Sequence, residues 1–264
     1  MAQPAITLLT DFGLLDGYVA AMKGVILGIA PEARLVDISH MVPPQDIRSA
    51  AFILFTSYAY FPPGTVHLAV VDPGVGTERR PIAVRTRSYF LAGPDNGLFS
   101  LILEKETGWE ARTIENTDLF REPVSATFHG RDIFAPTAAS LCLGRPFDTI
   151  GPVCSPFIAE WSTPVRTDGM IEGEIIHIDR FGNAITNIDR EMAASGIQVR
   201  WKARIGGIPD LPVLDTYGRA SKGSALALIG GSGFVEIAVN MGNAASELGL
   251  HTGMKVTLLD LSSK

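Results

Sequence analysis

The sequence predicts an α/β protein: an N-terminal Rossmann-like, mostly parallel sheet flanked by helices, followed by a smaller C-terminal antiparallel β-barrel-like domain. Three observations carry this. Apolar runs of strand length alternate with helical 3.6-residue stripes through the first half of the chain. The last third shows short strands separated by Gly- and Asn-bearing turns. Between them, from Cys154 to Asp168, Ser155-Pro and Thr163-Pro interrupt a stretch without sustained period, which divides the chain into domains over residues 1–160 and 168–264.

In order, Ala5 to Thr10 reads as a central strand and Asp11-Phe12-Gly13 as its turn, before a helix with Val19, Met22, Ile26 and Ile29 on one face. Pro31 closes that helix. Arg34 to Ile38 makes a second strand, and His40 to Asp46 leads into a helix striped by Ile47, Ala51, Leu54 and Tyr58, with Asp46 as N-cap. Pro62-Pro63-Gly64 precedes a strand from Val66 to Val71. Two βα units before that strand favour parallel pairing with right-handed crossovers. Residues 81–85 and 89–92 read as further strands, Gly93-Pro-Asp-Asn-Gly97 as a sharp loop, and Leu98 to Lys105 as a helix. Ala126 to Pro136 opens a helix that continues to about Leu143.

In the second domain, strands are expected at 171–178, 184–188, 198–205, 225–229, 234–239 and 255–259, with turns at Arg180-Phe-Gly182 and Gly230 to Gly233. Gly242-Asn243-Ala-Ala-Ser246 fits the cap of a short helix. No fixed-period repeat or low-complexity tract occurs.

Composition narrows the function. The chain has 264 residues, 46% hydrophobic and 19% charged, enough for a substantial core. Its formal charge of −6, from 28 acidic against 22 basic residues, supplies no phosphate-neutralising surplus, so neither nucleic acid nor an anionic membrane is expected as partner. A small molecule fits better. Cys142 and Cys154 make no disulfide framework or zinc spacing, and Cys142 is read as core. No apolar run resembles a signal peptide or membrane span, and a cytoplasmic location is expected.

The strand at Val66 ends in Asp72-Pro-Gly-Val-Gly76-Thr-Glu-Arg79-Arg80. Strand carboxyl ends in an open α/β sheet face a ligand crevice, although a lone Asp-Pro-Gly is more often a plain turn. His129, beside Gly130, Arg131 and Asp132 at a helix start, is unusual for packing alone. His40, His67, His177 and His251 are read as structural or surface residues. Asp72, Arg79 or Arg80, and His129 together could bind and polarise a water molecule. Asp11 and Asp16 at the first βα turn suit hydroxyls or a cation better than phosphate, while Asp16 could equally favour the helix N-terminus. Asp95 and Asn96 are read as turn formers. No Gly-x-Ser-x-Gly elbow, Walker loop or His-Glu-x-x-His occurs. Spacing alone therefore suggests water activation and leaves the electrophile open.

Six separated motifs occur in order: Thr10-Asp11-Phe12-Gly13 with Asp16; Val71-Asp72-Pro-Gly-Val-Gly76-Thr with Arg79-Arg80; Gly93-Pro-Asp-Asn96-Gly97; Phe128-His129-Gly-Arg-Asp132; Phe181-Gly-Asn183 with Thr186-Asn187; and Gly242-Asn243-Ala-Ala-Ser246. Together they resemble the S-adenosylmethionine hydroxide adenosyltransferases, once known only as a domain of unknown function and related to the fluorinase and chlorinase. The resemblance spans about residue 6 to about residue 259.

It implies hydrolysis of S-adenosyl-L-methionine to adenosine and L-methionine by attack of water or hydroxide on ribose C5′. It also implies no cofactor or metal beyond the substrate, and a homotrimer whose site lies between one subunit's first domain and its neighbour's second. The family's water-handling residues fall on Asp72, Arg79 and His129, the resemblance selecting Arg79 over Arg80. Asp11 matches the ribose-diol ligand. Asp16, Asp179, Asn183 and Ser232 match positions toward the methionine ammonium and carboxylate, and Asn243 and Ala244 positions toward adenine. Gln45 falls about where the fluorinase has a tryptophan, and Asp72, His129 and Gly130 replace its halide-pocket residues. A carboxylate there repels halide. A SAM-dependent halogenase making 5′-halo-5′-deoxyadenosine, and a non-catalytic adenosine- or SAM-binding protein, are the alternatives.

Overall fold

The computed structural model describes residues 5–194 and 201–261. Ala5–Thr10 forms β1, buried along its whole length because Ala-Ile-Thr-Leu-Leu-Thr meets packing on both faces. Tyr18–Ile29 (α1) buries Val19, Met22 and Ile26. Ile29, expected on the same stripe, is the last helical residue and stays 39% exposed. Arg34–Ser39 is β2 and Ile47–Tyr58 is α2, whose N-cap Asp46 accepts the Ser49 N–H at 3.0 Å and the Ser49 hydroxyl at 2.7 Å. Val66–Val70 is β3, fully buried and one residue shorter than the expected strand.

Pro81–Arg85 (β4), Phe90–Pro94 (β5), Ser100–Lys105 (α3), Glu110–Thr113 (β6) and Ala135–Cys142 (α4) complete the first half. The helix expected from Leu98 begins at Ser100, and β5 runs into the expected loop as far as Pro94. The segment read as one helix after Ala126 divides. Gly130–Phe134 winds as a π-turn, and α4 follows with Pro136, which has no N–H to donate, in its first turn.

The sheet order is β2-β1-β3-β5-β4-β6; the first four strands are parallel, while β4 runs antiparallel to both β5 and β6. α1 and α4 pack with one apolar cluster, including Met22, Ile26, Ala138 and Phe134, against which half-buried Cys142 rests. α2 and α3 pack with another around Leu54, Tyr58, Phe99 and Ile102. The chain thus leaves β1 over one face and reaches β3 over the other. That makes the β1/β3 boundary a topological switch point, where a crevice opens beyond the strand ends. Thr10 pairs with Val70 there, so Asp11, one residue on, and Asp72, two residues on, leave neighbouring strands at the same end of the sheet.

Contacts divide the chain into units ending at Ala159 and beginning at Glu160. In the second unit, Val165–Thr167 (β7), Met170–Ile178 (β8), Ala184–Asp189 (β9), Arg190–Ala194 (α5), Trp201–Ile205 (β10), Leu211–Leu214 (β11), Ala225–Ile229 (β12), Phe234–Val239 (β13), Ala244–Leu248 (α6) and Lys255–Asp260 (β14) occur in order. Seven strands, β14-β10-β11-β12-β13-β9-β8, close on themselves through β14–β8, and β7 adds to β8. Closure leaves no open edge in the ring. One pair, β11–β12, is parallel, so the barrel is not wholly antiparallel. The strand expected over 198–205 has its first three residues outside the described residues.

Candidate active site

Asp72, just beyond β3, and Arg79, just before β4, form a two-pronged ion pair in which both side chains are nearly buried. Arg79 Nε donates to Asp72 Oδ1 at 3.0 Å and Nη2 donates to Oδ2. The same Nη2 lies 3.1 Å from His129 Nδ1. A guanidinium only donates, so Nδ1 is the acceptor and the neutral ring carries its proton on Nε2. Burial, then the Arg79 charge, push the His129 pKa below the ordinary imidazole value, against an opposing pull from Asp72 and Asp132. Phe134, from the π-turn, places its ring 5.4 Å from the Arg79 guanidinium carbon.

Arg80, left open by residue spacing, goes elsewhere. Its Nε and Nη2 donate to Asp95 Oδ2 and its Nη2 to the Ser155 carbonyl, while Asp95 Oδ1 accepts the Phe157 N–H. Asn96 Nδ2 donates to the Val71 carbonyl at 2.9 Å. The 93–97 turn therefore braces the end of β3, which is the turn-former reading of Asp95 and Asn96. Gly76, at φ +76°, fits because a Cβ would stand 2.5 Å from the Ala126 carbonyl oxygen. Its close approach is to the loop carrying His129. Asp132, fully buried, ties that loop together by accepting from Arg131 and from the Ser125 N–H.

A cavity of about 360 Å³ is lined by Asp11, Gln45, Asp72, Val75, Phe128 and His129, among others. Asp11 stands at the end of β1 with its Oδ2 accepting the Gln45 N–H at 2.8 Å. Asp16 is exposed in the turn before α1 and does not line this cavity. His40 and His67 are buried against Thr10 and Thr7, each through Nδ1 at 2.8 Å from a hydroxyl, which matches their structural reading. The sequence did not single out Gln45 by its chemistry. Pro43-Pro44 before it and the Asp46 cap after it were the only local signal of an unusual turn.

In the second unit, Asp179 Oδ1 accepts the Phe181 and Asn183 N–H groups, and its Oδ2 accepts Asn183 Nδ2 at 3.0 Å. This locks the β8–β9 hairpin. Asn243 caps α6 by accepting the Ser246 N–H at 2.9 Å, and packs so closely on Gly182 that any Cβ there would collide with it. The Ala245 N–H donates to the Gly182 carbonyl. The fold thereby joins Asp179, Asn183, Asn243 and Ala244 in one neighbourhood. Ser232 lies in the β12–β13 turn, its Oγ buried without a hydrogen-bond partner among the described residues. Glu236, not expected as a site residue, is buried nearby with its pKa raised by burial and by the Asp179 charge, while Tyr217 donates to it. Among the described residues no three His, Cys, Asp or Glu side chains converge as metal ligands do, and no helix is long and apolar enough to cross a membrane.

Fold and site define a class: a switch-point α/β unit with a carboxylate–guanidinium–imidazole chain beside a cavity, followed by a closed β-barrel. Residues 6–151 match the model of the SAM hydroxide adenosyltransferase N-terminal domain, and residues 173–257 that of its C-terminal domain. The chain belongs to the SAM hydroxide adenosyltransferase family. It is 43% identical to a protein of Thermus thermophilus named (R)-S-adenosyl-L-methionine hydrolase, over 95% of this chain and 98% of that one. A fluorinase of an Actinoplanes species is 29% identical, over 97% of each. A solved structure from Thermotoga maritima, described as an uncharacterized conserved protein, superposes with a TM-score of 0.86 at 37% identity, covering 96% of this chain and 99% of that one.

Proposed function

We propose that this enzyme hydrolyses S-adenosyl-L-methionine to adenosine and L-methionine, with the substrate as the only non-protein group required. The observation that carries the reading is the contact chain from Asp72 through Arg79 to His129 beside the switch-point cavity, in a chain of this family. The C5′–O bond forms as the C5′–S bond breaks, the sulfur keeps the bonding pair as a neutral thioether, and the attacking water gives up one proton. A sulfonium leaves without a general acid. The protein's tasks are then to hold an oxygen in line and to accept that proton.

Asp72 suits the second task. Its oxygens keep lone pairs free after accepting from Arg79, whereas His129 Nδ1 is already occupied. His129 suits the first, because its Nε2–H can donate to the same oxygen. In this reading Asp11 takes the ribose hydroxyls; Asp16, Asp179, Asn183 and Ser232 take the methionine ammonium and carboxylate; Asn243 and Ala244 face adenine. The assembly is a homotrimer in the cytoplasm, with each site shared between neighbouring subunits. The hydrolase relatives carry an R descriptor beside L-methionine, which assigns R to the sulfonium, and the same epimer is the substrate proposed here.

The test is chromatography of products from each sulfonium epimer, with and without chloride or fluoride. Adenosine and methionine from the R epimer are expected whether or not halide is present. A 5′-halo-5′-deoxyadenosine product would make the protein a halogenase, and tight binding without methionine release would make it a binding protein. Asp72→Ala and His129→Ala should each lower kcat by about 10²- to 10⁴-fold while substrate still binds. Wild-type turnover in either variant refutes its assigned role.

A further inference from the structure

The turn after β1 and the loop between β2 and α2 are tied at three points. The Gly13 N–H donates to the His40 carbonyl at 2.8 Å, Thr10 Oγ1 meets His40 Nδ1 at 2.8 Å, and the Gln45 N–H donates to Asp11 Oδ2 at 2.8 Å. The third tie comes from a residue in a rare conformation. Gln45 has φ +66°, and among the described residues only Met241 is another non-glycine with positive φ. Glutamine gains nothing locally from the left-handed region, which Gly and Asn enter more readily.

What holds Gln45 there is the turn around it. The Asp46 N–H donates to the Pro43 carbonyl and the Ile47 N–H to the Gln45 carbonyl, while the Asp46 side chain caps α2. The result is an N–H aimed at one oxygen of a carboxylate lining the same cavity as Asp72 and His129. One fixed donor sets the orientation of the Asp11 carboxylate and leaves its other lone pairs for two adjacent hydroxyls. A strained backbone retained at a cavity wall is itself a pointer to function.

We propose that Gln45 is a positioning residue whose left-handed backbone, rather than its side chain, orients Asp11 and so sets the preference for an intact ribose diol. This rests on the reading of Asp11 as the diol ligand. The experiment measures kcat, KM and Tm for wild type, Asp11→Asn, Gln45→Gly, Gln45→Asn and Gln45→Val, on S-adenosylmethionine and on its 2′-deoxyadenosyl analogue. Gly and Asn accept positive φ and should keep the wild-type preference. Valine, β-branched and excluded from that region, should lose about tenfold of the preference, the worth of one charge-assisted hydrogen bond, through KM more than kcat and with a Tm that falls but stays above the assay temperature. Gln45→Ala, with the same Cβ as glutamine, should keep the preference, and Gln45→Thr, β-branched like valine, substitutes for the valine variant should that fail to fold.

Loss of preference in Asp11→Asn with none in Gln45→Val or Gln45→Thr overturns the proposal. An equal loss in Gln45→Gly overturns it too, since the side chain would then be responsible. An undiminished preference in Asp11→Asn removes the diol reading and the Gln45 role with it.

Discussion

Arg79 and Arg80 are neighbours with separate duties: one joins Asp72 to His129, the other clamps the 93–97 turn through Asp95 and Ser155. No rule of residue type separates them; only the partners that the fold brings up do. The same holds for the histidines. His129 faces a cavity, whereas His67 is fully buried among the rings of Tyr58, Phe61 and Tyr89, with Nε2 lacking a hydrogen-bond partner among the described residues. Burial lowers the His67 pKa from 6.5 to about 4. The unfolded chain therefore binds more protons between those values, and stability falls as pH drops through that window. Between pH 7.5 and pH 4.5 the contribution lost is on the order of 2 kcal/mol. Urea unfolding of wild type and His67→Phe at both pH values checks this. The wild type should lose that much more than the variant, and equal losses would place the acid sensitivity in other groups.

Elements differed in how plainly they could be read. β1, β3, α1 and α2 carry long apolar runs or stripes bounded by Pro, Gly and Asp, and their ends lie close to those expected. β6, β7 and β11 were not expected. They are three or four residues long, rich in polar or proline positions, and extended because a neighbouring strand supplies hydrogen bonds. The π-turn before α4 was missed for a related reason: it packs closely, with Phe12 and Met22 about 3.3–3.4 Å from where a Gly130 Cβ would stand, a contact invisible in the linear chain. Asp46, by contrast, was legible as an N-cap. Asp46→Ala should cost about 1 kcal/mol, with Asp46→Asn close to wild type, as read by thermal unfolding. An alanine variant as stable as wild type would show that packing alone fixes the start of α2.

At the scale of the whole molecule, each unit has its own apolar core, one around β1, β3 and α4 and one inside the barrel. The proposed residues divide between the units, with Asp72 in the first and Asp179 in the second. The proposed shared-site trimer predicts complementation. Co-expressed Asp72→Ala and Asp179→Ala chains, each inactive alone, should recover about a quarter of wild-type activity, because random mixing gives that share of sites two intact halves. Recovery absent from mixed oligomers would place each site within one subunit. By itself the sequence determined the fold class, the strand ends where chemistry could gather, and the family motifs, because apolar period and turn residues are local properties of the chain. The family resemblance had already selected Arg79 over Arg80; only the tertiary structure decided which nitrogen of His129 holds the proton and which backbone N–H meets Asp11. Those depend on groups far apart in sequence, brought within hydrogen-bond distance by the crossovers around the β1/β3 switch point.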